Sequence, residues 1–463
     1  MNFRIERDLL GEREVPKEAY YGIHTLRAFE NFPLSHIRVE TRFIQAFAQV
    51  KKACAHTNYT LGFLEKNKAE AIFQACDEIV AGQWHEEMIV DPLQGGAGTS
   101  TNMNINEVIA NRALELLGHP KGFYEVIHPL DHVNMHQSTN DVYPTALKIA
   151  SLSLLQELSE DIAKLQGAFQ AKEKQFSTVL KMARTELQDA VPMSMGSGFG
   201  AYAEAIARDR WRVFKSMERL KNVNLGGTAI GTGIGAPKKY LFLVVESLKE
   251  ITNLPIARSE NLIDATQNCD MFVEVSGILK AHATNLFKIA SDLRLLSSGP
   301  RTGLAEIALP PVQAGSSIMV GKINPVICEA VNQSAMKVMG NDFLVCQAAQ
   351  NGQLELNAFM PLLAHAFLES LTLLKNTVVM FREKAIEGIT VHSHHTCANV
   401  LNSSGCLVAL LDVLGYEKAT QLALMLHVNH NVTLKELLEQ ETTLGKEQID
   451  VLLEPSRLIA LGR

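Results

Sequence analysis

Four short runs of hydroxyl, amide and glycine residues interrupt an otherwise apolar chain: GGAGTSTNMN (95–104), HQSTNDVYPT (136–145), RTELQDAVP (184–192) and QAGSSIMVGKINPV (313–326). Three immediately precede a helical pattern. Thr101 or Asn102 is one expected N-cap, Asn140 or Asp141 a second with Pro144 in the first turn, and Asn324 followed by Pro325 a third. Taken singly, each reads as ordinary helix capping. A helix N-terminus also offers unpaired N–H donors and about half a positive charge, which suits a carboxylate or a phosphate. Three such termini meeting in space would make a site for a dicarboxylate, but spacing along the chain does not establish that they meet.

The elements that must position these runs are helices. Leu154, Leu158, Ile162, Leu165 and Phe169 recur at steps of three or four, and Ile105, Val108, Ile109, Leu116 and Leu117 make a second such face closed by Gly118 and Pro120. The same periodicity predicts long helices over 268–296, 325–349 and 356–385, whereas strand-like alternation is rare. The stretch VNQSAMKVMGNDFLVCQ is apolar on most sides, which predicts a place inside a larger bundle or against another subunit. The expected fold class is therefore all-α, with a mostly helical N-terminal domain (1–139), a central long-helix bundle (140–388) and a small helical C-terminal domain (389–463).

Composition narrows the function classes. With 47% hydrophobic residues and a net charge of −7, the chain offers no concentrated basic surface for nucleic acid, so any anion site must be local. Seven scattered cysteines without a Cys-x-x-Cys pair predict buried thiols in a reducing compartment. The charged N-terminal run MNFRIERDLLGEREVP has no apolar h-region, and no apolar run approaches ~18 residues. A cytoplasmic protein without a membrane partner is expected. GTGIGA (231–236) fits a loose dinucleotide pattern, but no clear strand–helix unit surrounds it and Pro237 follows, so a turn is expected. His392, His394 and His395 are expected to be unpaired residues of a flexible loop, not metal ligands.

The run GSSIMVGKINPVICE resembles the signature of the aspartase/fumarase superfamily, Gly-Ser-Ser-x-Met-x-x-Lys-x-Asn with a Glu five residues on, here Glu329. Further matches run in order along the chain: YYGIHTLRAFENFP (20–33), GTSTNMN, QSTNDVYPT, RTELQDAVPM, GGTAIGTGIGAP (226–237), the ATQNCDMFVEVSG region and SSGPRTGLAEIALP (297–310). YYGIHTLRA, the Ser138-Thr139-Asn140 triplet and Gln-Asp-Ala-Val-Pro (188–192) are closer to aspartases than to class II fumarases. The resemblance implies a three-domain fold with a long central helical bundle. It also implies a homotetramer whose active sites are shared between subunits, and reversible elimination of ammonia from L-aspartate to give fumarate. No metal or organic cofactor is implied.

That reaction removes a weakly acidic proton beside a carboxylate, so stabilising the enediolate is the main catalytic task. By resemblance, Thr101, Ser138, Thr139 and Ser317 hold the reacting carboxylate, while Thr139, Lys322 and Asn324 hold the other. Asn140 and Thr185 approach the amino group. Ser316 is the implied general base, on a loop bracketed by Gly315 and Gly321 that can open and close over substrate. His128 falls in a stretch resembling a secondary anion site of fumarases, though an ordinary surface role suits it as well.

The chain also departs from the family. Glu186 replaces a His or Gln beside the leaving amine, where a carboxylate would pair with an ammonium but repel carboxylates. Val320 replaces the Pro of the signature loop, removing a fixed φ. Ser197 and Gly198 replace Gln-Glu, Leu130 replaces an Asn, and SSGCLVALLDVLGY (403–416) lacks the usual Asn-Pro. These changes keep two alternatives open: a fumarase or another fumarate-forming lyase, and a catalytically weak paralogue with a scaffold or ligand-sensing role.

Overall fold

The computed structural model describes residues 3–429 and 432–460. The chain opens on an antiparallel hairpin, β1 (Phe3–Asp8) and β2 (Gly11–Pro16), followed by α1 (Ile23–Asn31), α2 (Thr41–Thr60), α3 (Lys66–Val80) and α4 (Thr99–Leu116). Next come α5 (Thr139–Gln175), the hairpin β3 (Leu180–Thr185) and β4 (Gln188–Ser194), and α6 (Met195–Ser216). A minimal parallel pair, β5 (Asn222–Val223) and β6 (Ala257–Arg258), flanks α7 (Lys238–Thr252). Then follow α8 (Leu262–Gln267), α9 (Asp270–Leu296), β7 (Ile307–Ala308), α10 (Val326–Gln350) and α11 (Met360–Lys384). β8 (Thr390–Val391) pairs with β7, and the helices after it are short, beginning with α12 (Ser393–Leu401). The all-α expectation holds: among the described residues, β-structure is confined to two-stranded pairs and one isolated bridge between Gln353 and Leu356.

Long-helix boundaries follow the apolar periodicity to within a few residues. Leu154, Leu158, Ile162, Leu165 and Phe169 of α5 are all buried, as are Ile105, Val108 and Ile109 of α4. On α10, Val331, Val338 and Val345 are buried while Met336, Phe343 and Leu344 remain exposed. This helix therefore has apolar residues on the side it turns to the core and on the side it leaves open.

Two compact units divide the chain. The first comprises Met1–Ser159, Trp211–Ala283 and Met336–Lys375. In it α2 packs on α3, α4 and α7, with Phe47, Ile72, Val108 and Tyr240 in its core. The second comprises Glu160–Arg210, Thr284–Ala335 and Asn376–Arg463. There β3 lies against α12, and Leu180, Met182, Val400, Leu410, Leu422 and Ile449 share one apolar cluster.

Candidate active site

In the first unit the second polar run forms the start of α5. Helical geometry begins at Thr139, so Ser138 precedes the first helical residue, and Asn140 and Asp141 lie inside the first turn. The sequence expectation, Asn140 or Asp141, placed the cap two or three residues too late. The Ser138 hydroxyl accepts from Asn140 N–H at 3.2 Å, and Ser138 N–H donates to the Asp141 carboxylate at 2.9 Å. Ser138 thus caps the helix through the N–H of its second residue, while the third residue, Asp141, reaches back to the Ser138 N–H as in one half of a capping box. Pro144 accordingly falls in the second turn, where it has no N–H to give to the carbonyl of Asn140. The Asn224 side chain supplies the missing donor at 3.0 Å.

Asp141 is fully buried and does more than cap. Its other oxygen accepts Gly226 N–H at 3.0 Å and Thr228 N–H at 3.2 Å, tying the start of α5 to the glycine-rich turn at 226–235. Burial pushes its carboxyl up to about 6, against the opposing pull of these three N–H donors and of Lys51. The Asn140 amide donates to Ala229 O at 2.7 Å, which leaves its side-chain oxygen as an acceptor.

The first polar run enters α4 one turn earlier than expected. Gly98 is the N-cap, with φ of 97°, and any Cβ there would meet the Tyr143 ring at 2.3 Å. Only glycine allows α4 to start this close to α5. Thr101 and Asn102, expected as caps, are buried inside the first turn. Thr101 donates through both N–H and Oγ1 to Gln94 Oε1, at 2.9 and 3.2 Å. Asn102 Nδ2 donates to Thr139 Oγ1 at 3.0 Å. The structure thus brings Thr101, Ser138, Thr139 and Asn140 onto the adjoining starts of two helices.

In the second unit, Thr185 ends β3, and Glu186-Leu187 form the two-residue turn into β4. Both turn residues have positive φ, 52° and 67°, the signs of a type I′ turn that normally selects Asn-Gly. Thr185 and Glu186 are exposed at this tip. The hairpin base is anchored by Arg184, whose Nη1 lies 2.6 Å from Oε1 of the fully buried Glu306.

The last polar run is a loop curled around a cavity of about 550 Å³ lined by residues between Pro311 and Ile323. Gly315 N–H donates to Lys322 O at 2.8 Å, and the Asn324 amide donates to Gly315 O at 2.7 Å, pinning the loop's two ends. Ser316 Oγ accepts Ile318 N–H at 3.2 Å and Met319 N–H at 2.9 Å. Ser316 and Asn324 are half-buried, whereas Ser317, Val320 and Lys322 are exposed. Helix α10 starts at Val326, so Asn324 lies one residue outside the cap that was expected of it.

Other expectations change. His392 and His395 are not unpaired: their ring nitrogens pair with Ala305 O at 2.7 Å and Leu304 O at 2.9 Å, and His394 and His395 lie within α12. His128 is half-buried and its Nδ1 accepts the N–H groups of Leu130 and Asp131, so it caps a turn. Cys346 is exposed and Cys397 half-buried, while the other five thiols are buried. GTGIGA is a turn, though the pair β5–β6 and α7 around it form a strand–helix unit that the sequence did not reveal. Sequence reasoning also passed over Lys51 and Asn134, which lie behind Thr139. A lysine inside the apolar stripe FAQVKKACA was the available signal.

A family model described as "Lyase" matches residues 11–340. The aspartate ammonia-lyase of Bacillus subtilis (strain 168) is 45% identical over 460 residues, covering 99% of this chain and 97% of that protein. This chain belongs to the aspartase/fumarase lyases. The aspartate ammonia-lyase of Pseudomonas fluorescens is 49% identical to the lyase, over 99% of this chain and 96% of its own. Among solved structures, a Brucella melitensis protein described as fumarate lyase:delta crystallin bound to cobalt superposes with a TM-score of 0.94 at 46% identity, covering 99% of both chains. The class II fumarase of Schistosoma mansoni follows the same fold with a TM-score of 0.91 at 32% identity, covering 98% of both chains. Among the described residues of the lyase, no group of three or more His, Cys, Asp or Glu is placed to hold a metal ion. No single described helix is long and apolar enough to cross a membrane; the bent pair Ser393–Leu401 and Ser404–Leu414 passes by length and composition only, across a 71° break.

Proposed function

We propose that the lyase eliminates ammonia from L-aspartate to give fumarate, reversibly, with Ser316 as general base. The Ser316 alkoxide takes a proton from the carbon beside one carboxylate, the electron pair spreads into that carboxylate as an enediolate, and the carbon–nitrogen bond then breaks to release ammonia. The observation that carries this role is local: two backbone N–H groups already point at Ser316 Oγ, where they stabilise a developing alkoxide. The aspartate ammonia-lyases matched over nearly their whole length support the choice of substrate.

In this reading Ser138, Thr139 and Ser317 hold the reacting carboxylate, together with Thr101, which exchanges its Gln94 bond for the substrate. Thr139, Lys322 and Asn324 hold the second carboxylate. Asn140 offers its free amide oxygen to the ammonium, and Thr185 and Glu186 complete the amine end. Ser316, Lys322, Thr185 and Glu186 form the catalytic set. The exposed apolar residues Met336, Phe343 and Leu344 of α10 support a homotetramer that completes each site with residues of neighbouring subunits. The seven free, mostly buried cysteines support a cytoplasmic setting. The three-part division at 139/140 and 388/389 is kept as the functional domain plan.

Fumarate absorbance tests the reading. Aspartate, or fumarate with ammonium, should turn over, and Ser316→Ala should abolish turnover without altering assembly. An unimpaired variant removes Ser316 as base. The likeness to a class II fumarase favours one second reading, for which turnover of malate and not aspartate is the mark.

A further inference from the structure

Lys51 lies in the middle of α2 and is fully buried, yet its ammonium is held by two neutral amide oxygens: Asn134 Oδ1 at 3.0 Å and Gln137 Oε1 at 2.8 Å. A buried ammonium so held carries a large desolvation cost, and burial pushes its pKa down to about 8. Such a group calls for a reason, and the hydrogen bonds around it supply one.

An ammonium can only donate, so it fixes which face of each amide it meets. Asn134 must present its oxygen, and that oxygen also accepts from Asn102 Nδ2 and Asn106 Nδ2, each at 3.2 Å. The Asn134 Nδ2 is directed to Gln137 O at 3.2 Å, and Gln137 Nε2 to Val133 O at 2.9 Å and Met135 O at 3.2 Å. Backbone carbonyls therefore agree with Lys51 at every step. With its Nδ2 facing Asn134, Asn102 can only donate to Thr139 Oγ1. Were Asn102 turned over, its oxygen would face that of Asn134, and Thr139 would spend its proton on Asn102. Asn102 Oδ1 accordingly stays buried without a partner. That loss is tolerable only if the orientation is worth more elsewhere.

We infer that Lys51, acting through Asn134 and Asn102, is a positioning residue that keeps the Thr139 hydroxyl a hydrogen-bond donor towards an incoming carboxylate. The inference rests on the reading above in which Thr139 meets a substrate carboxylate. A threonine hydroxyl can otherwise rotate between donating and accepting roles, and a carboxylate rewards only the first.

A double-mutant cycle on the full-length lyase tests this, with succinate as an unreactive competitive probe and thermal unfolding and assembly followed in parallel. Thr139→Val should weaken succinate about tenfold, and Lys51→Met about fivefold, the scale of one misdirected charge-assisted hydrogen bond. In the Thr139→Val background, Lys51→Met should cost nothing further, because the hydroxyl it orients is gone. Asn102→Ala, which leaves the buried lysine in place, should behave the same way if Lys51→Met folds poorly. Losses that add in the double variants, or single variants with unaltered succinate binding, overturn the positioning role. If Thr139→Val itself leaves succinate binding unchanged, the assignment of Thr139 to a carboxylate falls, and this inference falls with it.

Discussion

Replacing Asp141 with alanine isolates the tie between the start of α5 and the glycine-rich turn. Three backbone N–H groups, of Ser138, Gly226 and Thr228, would lose their acceptor. At about 1–3 kcal/mol for each orphaned donor, the gross loss is about 5 kcal/mol. Against it stands the cost of the buried carboxylate itself, visible in a pKa raised from 3.8 to about 6 and worth about 3 kcal/mol. Net destabilisation near pH 7.5 should therefore be about 2 kcal/mol. The sign of the pH dependence follows. Between 3.8 and about 6 the folded state keeps a proton that the unfolded state has lost, so this group's stabilisation is complete below 3.8 and declines as pH rises through about 6. The gap between wild type and Asp141→Ala should be larger at pH 5 than at pH 7.5, by about 1.5 kcal/mol. Urea unfolding at the two pH values measures the gap, and hydrogen exchange at 226–228 reports whether the loss is local. A gap that widens with rising pH, or no gap at either, would refute both the balance of terms and the placement of the charge.

Glu107, almost fully buried on α4, accepts the N–H groups of Gly22, His24 and Thr25 at 2.8, 2.9 and 3.1 Å and so caps α1, whose own N-cap is a glycine. Glu107→Ala should lower stability by about 3 kcal/mol, and unchanged amide protection at 22–25 would count against it. Arg184→Met strands the buried Glu306 with only Lys181, 3.6 Å away, and should cost about 3 kcal/mol in a urea titration. Adding Glu306→Met should restore most of that, and failure to do so would mean the pair itself is not the source. Leu187→Gly relieves one non-glycine residue at positive φ and should raise stability by about 1 kcal/mol in thermal melting. A lower midpoint would exclude the type I′ reading of the hairpin tip.

The sequence alone determined the helical class, the long helices and the chemistry-bearing runs. Apolar repeats at three and four residues and Ser/Thr/Asn signals at helix starts are local properties of the chain. The motif order likewise determined the family. Cap positions were off by one to four residues, because the decisive partners are remote: Asp141 is satisfied by Gly226 and Thr228, and the carbonyl freed by Pro144 by Asn224. The histidines at 392 and 395 looked unpaired for the same reason, since their acceptors lie 87 and 91 residues away, at 305 and 304. Only the tertiary structure decided which face of each amide points where. The direction of a hydrogen bond depends on every neighbour at once, so it took the burial of Lys51 beside Asn134 to show how the Thr139 hydroxyl is oriented.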